Sequence, residues 1–189
     1  MTRRVNRRGT LVLTLALATV FSAAWFVGAQ HPPAPTTVRG NVPGEWRYWG
    51  GDAWSTRYSS LDQINSSNFN SLKVAWQWDA KSAGAGPDEY YRTTPLYANG
   101  RLFTVASTRR AAFAIDPADG KTLWKYELDE GIRWQKAPRQ FAGRGIAYWS
   151  QGGEERIILV TPGYHMVLLD AKTGKPDPKF GKNGVVDLM

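Results

Sequence analysis

The sequence predicts an all-β fold made of stacked four-stranded antiparallel units, the arrangement of propeller blades. Three observations carry this. The stretch Ala114-Ile115-Asp116-Pro117-Ala118-Asp119-Gly120-Lys121-Thr122-Leu123-Trp124 reads as strand, tight turn, strand, and a related unit returns as Asp170-Ala171-Lys172-Thr173-Gly174-Lys175. The two aspartates lie 54 residues apart, as do the two glycines. Short apolar or alternating runs recur between Gly, Pro, Asn and Asp turn signals, the spacing of an antiparallel meander. Finally, two longer segments align: Arg101 to Val105 leads to Phe113-Ala114-Ile115-Asp116, and Arg156 to Val160 leads to Val167-Leu168-Leu169-Asp170.

Leu72 to Trp78 reads as the first strand, with Leu72, Val74, Trp76 and Trp78 at period two. Before it, Trp46, Tyr48, Trp49, Trp54 and Tyr58 crowd a segment broken by Gly50 and Gly51. Aromatics this dense bury much apolar area, so the segment is expected to pack onto a sheet without forming a regular element. Residues 59–72 read as short turns or a brief helical turn. Thr94 to Tyr97 and Arg101 to Ala106 form a hairpin across Asn99-Gly100, a pair that tolerates positive φ. Arg110 to Ile115 and Thr122 to Tyr126 supply two further strands around the Asp116–Gly120 turn. A longer mixed connection spans 127–143. Gly145 to Trp149, Arg156 to Thr161 and His165 to Leu169 are the next strand-like runs, with Pro162-Gly163 turning between the last two.

Asp116 and Asp170 sit in turn positions, where an aspartate accepts hydrogen bonds from nearby backbone N–H groups, so both are read as architectural. Trp124 is a flat anchor suited to wedging against a neighbouring blade. In the second copy Pro178 takes its place, with Phe180 nearby to fill the gap. One such unit cannot bury its two faces alone. The expected full fold is therefore larger than 189 residues, and the chain is read as an N-terminal portion or as one half of a split protein.

Residues 1–29 are set apart as a targeting segment. Arg3, Arg4, Arg7 and Arg8 form a basic head, Leu11 to Val27 is apolar, and Val27-Gly28-Ala29 resembles a cleavage site before Gln30. The segment reads as a signal peptide, with an uncleaved anchor as the alternative because the run approaches spanning length. Residues 30–44, rich in Pro, Thr and Gly, read as a linker, leaving 45–189 as the partial propeller. Without residues 1–29 the 24 basic residues fall to 20 against 16 acids, a net +4. No dense basic run remains to argue for nucleic acid. With no cysteine, the chain has no disulfide framework, thiolate metal site, thiol nucleophile or lipidation site of its own. No Ser-His-Asp set, paired carboxylates or phosphate-cradling glycine loop stands out. His165 precedes an apolar strand and is read as structural.

The motif Ala114-x-Asp116-x-x-x-Gly120-Lys121-x-x-Trp124 resembles the tryptophan-docking repeat of quinoprotein dehydrogenases, enzymes dependent on pyrroloquinoline quinone (PQQ) with an eight-bladed propeller. Other pieces are similar to family landmarks in the same order: Trp49-Gly50-Gly51-Asp52, Tyr58 to Ile64, Leu72 to Trp76, Thr94-Pro95-Leu96, Arg144 to Trp149, and Phe180-Gly181-x-x-Gly184-Val185. The resemblance covers roughly residues 45–189 and is nearest the membrane-associated glucose and polyol dehydrogenase branch. It implies the first two or so blades of such a propeller, PQQ as cofactor, and a calcium ion whose ligands, like the catalytic aspartate, belong to family segments after residue 189. It also implies a sugar, polyol or alcohol substrate, a respiratory quinone or cytochrome as electron acceptor, and a periplasmic location, free or attached to the inner membrane.

Two residues are singled out for the cofactor. Arg144 falls on the family's Arg-Gly landmark, and its rigid fork matches the carboxylates of PQQ. Arg92 stands before Thr-Pro where familiar members carry a glutamate, and is expected to face a PQQ carboxylate. The adjacent cysteine pair of the alcohol-oxidising branch is absent, the chain reading Phe141-Ala142-Gly143 instead. The other reading is a noncatalytic propeller of the outer-membrane assembly scaffold type.

Overall fold

Turn chemistry sets the strand boundaries. Asn99 and Gly100 both take positive φ, +46° and +74°, closing the hairpin between β1 (Leu96–Ala98) and β2 (Arg101–Ala106). This is the computed structural model of the chain, and it describes residues 42–86 and 90–189. The signal or anchor at 1–29 and the linker up to residue 41 lie outside the described residues.

The first sheet continues through β3 (Ala111–Ile115) and β4 (Thr122–Tyr126) in the order β1-β2-β3-β4. The second has the same order: β5 (Ala147–Gln151), β6 (Glu154–Val160), β7 (His165–Asp170) and β8 (Val185–Asp187). All neighbours are antiparallel. Two successive four-stranded blades are thus present, in the all-β architecture the repeat predicts.

The core sits between the sheets. Ala112 and Ala114 on β3, with Phe103 and Val105 on β2, pack in one cluster with Ile157, Leu159, Val167 and Leu169 of the second blade. Tyr148 stacks on Phe103 across that seam, ring centroids 6.0 Å apart. The opposite residues of β3, Ala111, Phe113 and Ile115, meet Trp76, Trp78, Ala80, Ala83 and Ala85. Strand β3 is therefore buried on both faces, and its sequence is apolar throughout.

Leu72 to Trp78 is not a strand: it makes no ladder with any described residue. Its period-two pattern has another cause. Trp76 and Trp78 turn inward onto the first blade, while Leu72 and Val74 of the same alternation are exposed along with Lys73, Ala75 and Gln77. Trp78 meets Phe113 edge-on at 4.9 Å and donates its indole N–H to Thr122 Oγ1. Of the aromatic segment before it, Trp46 packs onto the first sheet and exchanges backbone hydrogen bonds with Tyr97, whereas Tyr48, Trp49, Trp54 and Tyr58, expected to pack as well, are exposed. Residues 59–72 contain one 3₁₀ turn, Phe69–Ser71. The 127–143 connection holds a short helix, α1 (Ile132–Gln135), and β8 is a strand the alternation did not predict. The repeats diverge there. Gly120 leads directly into β4, whereas Gly174 is followed by Pro176 and Pro178, which cannot donate to a ladder, and the fourth strand starts only at Val185.

The repeated unit itself is a joint. Trp124 donates its indole N–H to the carbonyl of Ala171, 3.0 Å away, and lies flat on Gly174. A Cβ on Gly174 would come within 2.6 Å of the Trp124 ring. Trp76 repeats the arrangement one blade earlier, donating to Pro117 O at 2.9 Å and covering Gly120, where a Cβ would come within 2.6 Å of its ring. Asp116 accepts from Ala118 N, and Asp170 from Lys172 N and Thr173 N, so both aspartates brace turns.

Candidate functional site

The antiparallel register brings the start of β1 and the end of β2 to one end of the first sheet, and likewise β5 and β6 in the second. The loops at those ends are Tyr90–Arg92 before β1, Ser107–Arg110 after β2, and Arg139–Gly145 before β5. With Val160 at the end of β6 they enclose a cleft of about 690 Å³. Among the described residues its lining includes four arginines, Arg92, Arg110, Arg139 and Arg144, and no acidic residue. Tyr90 and Phe141, in edge-to-face contact at 5.1 Å, form part of its apolar wall.

Both arginines expected from the sequence line this cleft. Arg144 is exposed, between Gly143 and Gly145 with φ of +76° and +125°. Arg92 is exposed too, and its guanidinium lies 5.8 Å from the Tyr90 ring. Thr93 holds the facing loop, donating Oγ1–H to Gly143 O at 3.3 Å.

Arg110 and Arg139 were not singled out from the sequence. Arg110 has the most constrained placement. It closes the β2–β3 turn at φ +54° and donates from Nε to Phe141 O (2.8 Å) and from Nη1 to Val160 O (2.9 Å). One side chain thus ties the first blade's turn to the loop before β5 and to the end of β6. Burial pulls its acidity constant below the ordinary guanidinium value, partly offset by the charge of Glu130. It remains a cation at neutral pH. A signal was available: aligned on their strands, the repeats place Arg110 in the turn at the same sheet end as Thr161–Tyr164.

Behind the cleft lies a closed polar network. The Glu130 side chain, 1% exposed, accepts from Thr161 Oγ1, from Gly163 N at 2.9 Å and from His165 Nδ1. Arg133 Nη1 donates to His165 Nε2 at 3.1 Å and to Asp187 Oδ2 at 2.7 Å. The imidazole therefore carries its hydrogen on Nδ1 and bridges Glu130 to Arg133, a structural role. Among the described residues no three His, Cys, Asp or Glu side chains gather as a metal site, and no helix is long and apolar enough to cross a membrane.

A cleft with four cations and no lining acid is suited to a ligand with several carboxylates, each able to meet a guanidinium fork. The aromatic rings of Tyr90 and Phe141 suit a ligand with an aromatic body. PQQ, a planar tricarboxylate, fits that donor set.

Comparison with known proteins points the same way. Residues 46–189 match the family model described as PQQ: glucose/ethanol/alcohol dehydrogenase, beta-propeller domain. The dehydrogenase subunit of the quinone alcohol dehydrogenase of Gluconobacter oxydans (strain 621H) is 33% identical over 171 residues, covering 87% of this chain and 21% of that protein. Quinoprotein glucose dehydrogenase A of Acinetobacter calcoaceticus is 27% identical over 225 residues, covering 100% of this chain and 28% of its own length. Among solved structures, the quinohemoprotein alcohol dehydrogenase of Comamonas testosteroni superposes with a TM-score of 0.55 at 28% identity, over 69% of this chain and 18% of that one. The chain spans between about a fifth and somewhat over a quarter of the length of these curated relatives.

Proposed function

Because this chain belongs to the PQQ-dependent glucose/ethanol/alcohol dehydrogenase propeller family, we propose that it forms the arginine wall of a PQQ site in an enzyme oxidising a sugar, polyol or alcohol. The observation that carries this reading is the cleft at one end of the two blades, lined by Arg92, Arg110, Arg139 and Arg144 with no carboxylate among the described residues.

PQQ, when bound, supplies an ortho-quinone that accepts two electrons from an alcohol carbon. The chain's own part is to hold and orient. Arg144 and Arg92, exposed on opposite loops of the cleft, are the cofactor-binding residues, each offering a planar fork to a carboxylate. Tyr90 and Phe141, in edge-to-face contact, offer apolar surface to the ring system of the cofactor. The remaining walls, a calcium ion with its ligands, and the aspartate that takes the substrate proton come from polypeptide outside these residues. Electrons leave to a respiratory quinone or cytochrome, and the protein works in the periplasm, free or held at the inner membrane. A noncatalytic scaffold would have no use for four arginines that line one cleft with no ion pair among the described residues.

The test is reconstitution of the full-length gene product that carries this chain. With PQQ and calcium added, dye-linked oxidation of at least one of glucose, glycerol and ethanol is expected, together with saturable PQQ binding that weakens as salt screens the arginines. No PQQ binding and no dye reduction with any of the three would overturn the reading.

A further inference from the structure

Arg110 differs from the other cations of the cleft in being already fixed. Its Nε–H and one Nη1–H are occupied by Phe141 O and Val160 O, on two different segments. Nη2 makes no hydrogen bond and is not among the buried unsatisfied atoms, so it opens on the cleft that Arg110 lines. A guanidinium carries five N–H groups, so the remaining three are free for an acceptor. None of the described carboxylates forms an ion pair with it. Glu130, whose charge it senses, already has its oxygens engaged by Thr161, Gly163 and His165. Gly143 makes room for the guanidinium: a Cβ there would stand 3.1 Å from Arg110 Nε.

We propose that Arg110 is the pre-set carboxylate anchor of the cleft, a cofactor-binding residue that fixes one carboxylate of PQQ while Arg92 and Arg144 close on the others. This rests on the reading above that the cleft takes PQQ. The physical reason is preorganisation. An exposed arginine loses rotamer freedom when it clasps a ligand, whereas Arg110 has lost that freedom on folding. A half-buried cation that makes no ion pair with any described carboxylate is costly to hold, and a ligand carboxylate relieves that cost. Lysine would substitute only in part, because an ammonium keeps the charge but presents no planar fork.

The experiment titrates the full-length gene product with PQQ and with PQQ trimethyl ester, which keeps the ring system but has no charged carboxylate. Wild type, R110Q and R110K are compared by tryptophan quenching, with thermal unfolding as a fold control. Wild type is expected to prefer the acid. In R110Q the acid-to-ester preference is expected to fall about tenfold, the scale of one charge-assisted fork. In R110K it is expected to fall about three- to fivefold, since charge without a fork is a partial substitute. A merely structural arginine would weaken both ligands equally, and an unchanged preference in R110Q would overturn the proposal. Should R110Q not fold, R110K carries the same comparison, and an unchanged preference there overturns it equally. Wild type binding neither ligand is a separate result, which removes the PQQ reading itself and the anchor with it.

Discussion

At the scale of single residues, several aspartates brace turns, Asp52, Asp116, Asp170 and Asp177 among them. Arg156, 16% exposed, reaches Asp177 at 3.1 Å, Glu154 at 3.2 Å and Asp170 at 3.8 Å, drawing β6 to the turns around β7. The Lys179 backbone N–H, followed by Arg156, holds the Asp177 carboxyl below the ordinary aspartate value. A depressed carboxylate stabilises the fold above its unfolded value and loses that contribution as pH falls through its folded one. The loss belongs below about pH 4. D177N should therefore be less stable than wild type at pH 7, and the gap in urea midpoints should narrow toward pH 2.5. Parallel midpoints across that range would remove the assignment. The aspartates of the repeat were legible in the sequence because an Asx turn is a local device. The arginine cleft was legible only at Arg144 and Arg92. Its four cations are spread from residue 92 to residue 144, and only pairing of the strands brings them together.

Among the elements, β3 is the most sensitive. Ala112 and Ala114 are fully buried against the second blade, and Phe113 fills the other face beneath Trp78. Ala114 pairs directly with Trp124, so a larger side chain there has nowhere to go. A114L is expected to cost about 1–3 kcal/mol by overpacking. L123A, at a position 45% exposed on β4, should stay within about 0.5 kcal/mol of wild type. Equal urea midpoints for the two variants would contradict the two-faced burial of β3. Turn chemistry and alternation located most of these strands in the sequence. Two places misled. Trp76 and Trp78 alternate because they dock on a blade, which period two alone cannot tell from a half-buried strand. Strand β8 stayed hidden because it is three residues long and lies beyond two prolines.

Across the whole molecule, the blades are coupled through Trp124 and Gly174. Gly174 takes φ +68°, and a Cβ there would stand 2.6 Å from the Trp124 ring. G174A therefore combines backbone strain with displacement of an aromatic on the other blade, an expected loss of about 2–4 kcal/mol. Its diagnostic is a red-shifted, more quenchable emission missing from W124F and from the G174A/W124F double variant. An unshifted spectrum would mean that Trp124 does not rest on this glycine in solution.

The joint has a direction. Each tryptophan reaches forward to the turn of the following unit: Trp76 to Pro117 and Gly120, Trp124 to Ala171 and Gly174. The first blade therefore carries a hook, Trp124, on its last strand and an eye, Gly120, in the turn before it, whereas the second blade keeps the eye at Gly174 and has Pro178 in the place of the hook. Duplicating the first blade copies both parts, so the added blade arrives with its own fastening. The same polarity governs recombination. A crossover between hook and eye separates parts shaped for each other, and one placed in the loop after a hook keeps each module whole while testing whether a foreign eye will accept it.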